Sequence, residues 1–124
     1  MGAEGRVSAA DIRSSLPLGA STFYILLALA GGDRHGYGVI KEVESQTGGT
    51  VKLGPGTLYR LIKQLLADGW IAEIEGEISG DDERRRYYRL TPRGRDVARA
   101  EAERLDAVVA VARERRLLPA LATF

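Results

Sequence analysis

The stretch GPGTLYRLIKQLLADGW, residues Gly54 to Trp70, decides how the rest of the chain is read. Pro55 follows a glycine, which suits the first turn of a helix. Gly69 suits its end. Between them Leu58, Leu61, Ile62, Leu65 and Leu66 fall at i, i+3, i+4, i+7 and i+8, the apolar stripe of a short amphipathic helix. The opposite face carries Tyr59, Arg60, Lys63 and Gln64. No Asp or Glu occurs from Ser45 through Ala67, while Lys52, Arg60 and Lys63 do. The spacing therefore predicts a helix with its back in a small core and its front offered to a polyanion. A solvated basic face would show the same periodicity, so the flanking sequence has to decide.

The chain has 124 residues and 44% hydrophobic content, which suits one domain with a modest core. It has no cysteine, so disulfides, thiolate metal sites and thiol nucleophiles are excluded. A formal net charge of +1 implies no polyanionic partner by itself, and only local distribution can. The longest apolar run, Phe23 to Ala30, is far short of the ~20 residues of a membrane span. The first residues, MGAEGRVSAADIRSS, lack the pattern of a secretory signal. The expectation is a soluble cytoplasmic protein.

Residues 1–15 read as a mobile extension with one helical turn around Ala9 to Arg13. Leu16 and Leu18 flank Pro17 and are expected to pack on the body. Ser21 or Thr22 caps a helix through FYILLALA that is apolar on nearly every side and should be central. GGDR is a turn. A second helix runs from about Gly36 to Thr47, with Tyr37, Ile40 and Val43 as its inner face. Its two early glycines point to close approach of another backbone. TVKL, Thr50 to Leu53, is a very short strand or a turn. After Gly69 the period becomes alternating over Trp70 to Glu75 and again over RRYYRLT, with an acidic, glycine-containing loop between, which makes a hairpin. Thr91-Pro92 opens a last helix that reaches about Arg116.

Three helices, a hairpin and a long helix predict a mainly α (α+β) fold. It is a winged helix-turn-helix with a three-helix core, a β-hairpin wing and a long C-terminal dimerisation helix. The divisions are a 1–15 extension, a 16–91 winged helix-turn-helix, a 92–118 dimerisation helix and a 119–124 tail. In this fold the helix of Gly54 to Trp70 would enter a DNA major groove, which admits one helix. Its start would aim dipole and free N–H groups at phosphate. The candidate DNA contacts are Lys52, Gly56, Thr57, Tyr59, Arg60 and Lys63, with Arg85 and Arg86 on the wing. For the wing a second reading stands beside the first: Arg84 to Arg86 pair with Asp81, Asp82, Glu83 and the glutamates of the other strand.

Ala98, Ala102, Leu105, Val109 and Ala112 are spaced 4, 3, 4 and 3 on the last helix, a coiled-coil-like seam that Val108 and Val111 broaden. The five seam residues and Val108 are the candidate dimerisation residues. The competing reading folds that helix back on its own core. A two-fold dimer would set two recognition helices about one DNA turn apart and select a palindromic operator.

HGYG with its glycine-rich turn, GPGTLYRLIKQLLADGWI and DDERRRYYRLTPRGR occur in the order and spacing that resemble the PadR family of transcriptional regulators, over about Leu16 to Leu118. The resemblance implies a homodimeric bacterial or archaeal regulator, usually a repressor. It implies that the GTLY helix enters the groove, the YYRLT hairpin is the wing and the last helix dimerises. It places Thr57 and Tyr59 toward DNA and Leu58 inward. It places Tyr37 beside the recognition helix, with a core role favoured over contact. Many members begin the third helix with Ser-Pro; here Gly54 stands before Pro55, so no side-chain cap or phosphate ligand is expected there. With one long helix after the wing, the chain is similar to the short C-terminal subgroup.

An enzyme is not expected. The one histidine, His35, has no cysteine partners for a metal, Ser45 and Ser79 lack the context of an activated nucleophile, and GGDRHGYG lacks the end of a phosphate-binding loop. No cofactor and no metal are expected. The partners are double-stranded operator DNA and a second copy of the chain, with a small-molecule effector of unknown identity as a further candidate. Trp70 and Phe23 could line its site, although Trp70 as plain core at the base of the wing is the favoured reading. The alternative class is a winged helix used for protein–protein contact without DNA. Its groove would expose apolar side chains where this helix carries Arg60 and Lys63.

Overall fold

The computed structural model describes residues 9–75 and 86–121. In chain order its elements are α1 (Ala9–Ser15), α2 (Ala20–Ala30), β1 (Arg34–His35), α3 (Gly36–Gln46), α4 (Pro55–Ala67), β2 (Ile71–Glu75), β3 (Arg86–Leu90) and α5 (Pro92–Glu114). The expected architecture, a helical core with a winged hairpin and a long last helix, is present.

Helix α2 sits at the centre and packs against α3, α5 and β3. It buries Ile25, Leu26, Ala28 and Leu29, while Leu27 reaches solvent, so the helix is not enclosed on every side. Its cap is Gly19 rather than Ser21 or Thr22, and no side chain caps it.

Helix α3 departs further from expectation. Its buried residues are Gly36, Val39 and Val43, and Tyr37 is 59% exposed. Val43 is buried as expected and Ile40 packs half-buried on the core, but Tyr37 is displaced because Gly36, which has no side chain to register as apolar, takes the first core position. His35 caps the helix, its Nδ1 accepting from the Gly38 N–H at 3.0 Å. After α3, the Thr47 hydroxyl donates to the Val43 carbonyl at 2.9 Å and accepts from the Val51 N–H at 3.1 Å. That pins the turn into α4, and Thr50 to Leu53 form no strand.

Helix α4 buries Leu58, Leu61, Ile62 and Leu65, the expected stripe. It ends at Gly69, whose φ of 76° only glycine adopts readily. The Trp70 N–H donates to the Leu65 carbonyl at 3.0 Å and the Gly69 N–H to Leu66 at 3.1 Å, the paired bonds of a Schellman stop. Strands β2 and β3 pair antiparallel, Ile71 opposite Leu90 through Glu75 opposite Arg86. Tyr88 and Leu90 face the core, as the alternation predicted. A third strand, β1, lies where the sequence suggests only a turn. It pairs with the other edge of β3, Arg34 opposite Tyr88 and His35 opposite Tyr87, and the sheet order is β1-β3-β2. Two residues are too few to show any period.

Between β3 and α5 the backbone makes one tight corner. The Thr91 hydroxyl accepts from the Gly94 N–H at 3.0 Å and donates to the Gly69 carbonyl at 2.7 Å. The Thr91 N–H donates to the Trp70 carbonyl at 3.1 Å. Gly94 is buried against that carbonyl: a Cβ there would strike the Trp70 oxygen and lie 2.8 Å from its carbonyl carbon and 2.9 Å from a Leu90 methyl.

The first half of α5 buries Gly94, Val97, Ala98 and Glu101 in the chain's own body. Ala98, expected in the dimer seam, therefore belongs to this core, and the fold-back reading holds for this half of the helix. Glu101 is 2% exposed; it accepts from Arg104 Nε at 2.8 Å and Nη2 at 2.7 Å, and also from the Leu18 backbone. These bonds hold its carboxyl below the ordinary carboxylate range against the opposing effect of burial. Helix α1 also packs on α5. Beyond Leu105 the helix carries exposed Val108 and Val111, and it closes at Arg116, whose φ is 64°.

Gly94→Ala tests the corner. Overpacking costs about 1–3 kcal/mol, and the Trp70 carbonyl cannot swing aside without losing its Thr91 bond. Alanine's better helix propensity returns up to ~1 kcal/mol. A net loss of about 1 kcal/mol is expected in urea unfolding; an unchanged or higher midpoint would show that the corner is loose. Glu101 gives a pH test. A carboxyl whose folded pKa is lowered stabilises the fold fully above its unfolded value, here 4.5, and loses that contribution as pH falls through the folded value. Wild type should therefore exceed Glu101→Gln in stability at neutral pH, and the gap should close only below pH 4.5. A gap independent of pH would mean that the charge is not what matters.

Candidate nucleic-acid interface

Helix α4 turns its back to the core, so its front is fixed by the same periodicity. Gly56, Thr57, Tyr59, Arg60 and Lys63 are all exposed, as is Lys52 in the loop leading in. Gly54 provides no side-chain cap, and Pro55 occupies the first turn. The start of the helix is left with small residues around it, which lets another molecule approach its backbone N–H groups.

Among the described residues, the ion pairs leave this face alone. Arg86 lies 3.6 Å from Glu73 across the strand pair. Arg89 forks onto Asp33, Nε to Oδ1 at 3.1 Å and Nη2 to Oδ2 at 2.7 Å. The hydrogen bonds from Arg89 hold the Asp33 carboxyl below its ordinary range. Arg34 pairs with Glu42, Arg99 with Asp96 and Arg104 with Glu101. None of these pairs involves Lys52, Arg60 or Lys63. Among the described residues Arg86, Arg89, Arg99 and Arg104 have acidic partners, while Lys52, Arg60 and Lys63 form no ion pair.

Tyr59 differs from its neighbours. Its ring is 51% exposed, yet it leans over the start of α3: a Cβ on Gly36 would strike its hydroxyl and lie 2.8 Å from its Cζ. This is the close approach that the α3 glycines forecast, although a side chain rather than a backbone makes it. Tyr59 also lies near Tyr88, whose phenol is pushed up chiefly by burial and then by Glu73 and Tyr59. Tyr59 thus braces α4 against α3 and the sheet while presenting one side of its ring outward.

Of the expected contacts, Lys52, Gly56, Thr57, Tyr59, Arg60 and Lys63 are all exposed, on α4 or in the loop leading into it. Arg86 is held by Glu73, in line with the acid-pairing reading. Arg84 and Arg85, with Asp81 to Glu83, lie outside the described residues. In the dimer seam Ala98 is buried, Ala102 and Val108 are exposed, and Leu105, Val109 and Ala112 are half-buried. The Arg89–Asp33 fork has no local sequence signal, because its partners are 56 residues apart and meet only through the β1–β3 pairing.

Residues 25–100 match the profile of the transcriptional regulator PadR-like family. The chain belongs to this family. Its members are regulators and not enzymes. PadR-type relatives of known structure share the fold. A transcriptional regulator from Clostridium thermocellum is 28% identical with a TM-score of 0.63, covering 83% of this chain and 94% of that one. A PadR family transcription regulator from Clostridium difficile is 23% identical with a TM-score of 0.66, covering 77% and 97%. Bacillus subtilis PadR, solved in complex with operator DNA, is 23% identical with a TM-score of 0.59, covering 68% of this chain and 47% of that one. An uncharacterised 37.1 kDa protein from a transposon of Streptomyces fradiae is 36% identical over 78 residues, which are 63% of this chain; the match spans 21% of that protein. No helix among the described residues is long and apolar enough to cross a membrane.

Proposed function

We propose that this PadR-family chain is a sequence-specific DNA-binding regulator that uses α4 as its recognition helix. It is a repressor that sits on a palindromic operator as a homodimer. The observation that carries the reading is the cationic front of α4, with Arg60, Lys63 and neighbouring Lys52 exposed and free of ion pairs among the described residues. Unneutralised Lys and Arg on a narrow convex element are what a phosphate backbone selects. A protein-binding face would instead expose apolar side chains, and α4 keeps its apolar residues buried.

The dimer surface in this proposal is the second half of α5. Ala102, Leu105, Val108, Val109 and Ala112 remain from the expected seam, and exposed Val111 adds to them. Exposed apolar residues in such a run favour burial against a second copy. Repression follows if the bound dimer blocks access to the DNA it covers. A small-molecule effector would release it from a site between protomers. The cleft within the chain beside Leu18, Thr22 and Trp70 holds about 180 Å³, below the ~300 Å³ of an ordinary ligand pocket.

Arg60→Ala and Lys63→Ala test the assignment. Each is expected to weaken duplex binding. Base readout would cost about 1–3 kcal/mol at one base position, and phosphate contact would weaken all sequences alike with a shallower salt slope. Wild-type binding by both variants would remove α4 from the interface.

A further inference from the structure

Helix α3 carries a second exposed feature that the recognition-helix reading does not use. Tyr37 is 59% exposed, and Lys41, one turn later, sets its ammonium 5.4 Å from the centre of the Tyr37 ring. The ring is not a loose surface side chain. It stacks on His35 at 6.4 Å with 13° between the planes, and His35 meets the Tyr87 ring edge-on at 5.3 Å. A row of rings therefore runs from the wing strand β3 onto the first turn of α3.

This row adjoins the front of α4. Gly36, the residue before Tyr37, is the one that Tyr59 leans over. On the other side, Lys41 lines an open groove together with Lys52, which leads into α4. Tyr37 and Lys41 thus lie on α3, which packs against α4, and Lys52 lies in the loop that joins the two helices. Lys41 has no ion pair among the described residues, and the adjacent Glu42 is taken by Arg34. Glu44 lines the same groove and would repel an anion at its end of it.

We propose that Tyr37 and Lys41 form a clamp for duplex phosphates flanking α4. The Tyr37 hydroxyl donates to a phosphate oxygen and the Lys41 ammonium neutralises it, with the ring row setting both in place. The proposal rests on the DNA-binding reading above. Such contacts fix register and orientation and carry no base preference.

The test uses the full chain and a duplex that it selects from a random pool. Lys41→Gln should weaken binding to the selected duplex and to an unrelated one by the same factor. The slope of log affinity against log salt should become shallower by about 0.9 for each bound protomer. For one contact, the loss at ~50 mM salt then exceeds that at ~200 mM by about 3.5-fold. Lys41→Arg should restore both affinity and slope, and Tyr37→Phe should weaken binding without changing the slope. An unchanged salt slope in Lys41→Gln overturns the clamp and leaves α4 untouched, as does a loss confined to one base position. If the wild-type chain selects no duplex, the DNA-binding reading fails and the clamp falls with it.

Discussion

The Thr91 hydroxyl holds the molecule's working parts in one frame. It accepts from Gly94 at the start of α5 and donates to Gly69 at the end of α4. The helix proposed to read DNA and the helix proposed to pair protomers are therefore joined through one side chain and the carbonyl of Trp70. Gly94 makes this possible, because nothing larger than hydrogen fits between α5 and that carbonyl. Shifts of α5 would be passed to α4 across this corner, which is the mechanical requirement for any regulator whose dimer geometry sets the spacing of its recognition helices.

Charge is partitioned on the same frame. Among the described residues Arg86, Arg89, Arg99 and Arg104 pair with Glu73, Asp33, Asp96 and Glu101. The region around α4 contains no acid from Ser45 to Ala67. A chain with a net charge of +1 can thereby present one local cationic surface without an overall basic balance. Surface ion pairs such as Arg86–Glu73 add little stability. Among the described residues they leave Lys52, Arg60 and Lys63 beside α4 outside any ion pair.

Much of this was legible in the sequence because it rests on strong local signals. The α4 stripe, the Gly69 stop, the Thr91-Pro92 start and the Tyr88–Leu90 alternation all appear where periodicity and end chemistry placed them. Three features were hidden for physical reasons. Strand β1 is two residues long, so it has no period, and only its partner strand defines it. The spacing places Tyr37 inward because Gly36, which fills the core position, contributes backbone and no hydropathy. The 4, 3, 4, 3 spacing places Ala98 in the dimer seam; the competing buried stripe of Gly94, Val97, Ala98 and Glu101 contains a carboxylate, which reads as surface until Arg104 and the Leu18 backbone are seen to satisfy it.

The most direct measurement is selection of bound duplexes from a random pool by the full chain, followed by a salt titration on the enriched sequence. The account predicts an inverted repeat with half-site centres about 10 base pairs apart. Its affinity should fall steeply with salt, as several phosphate contacts require. No enrichment, or an enriched site without two-fold symmetry, would contradict the claim that α4 serves a dimeric operator-binding regulator.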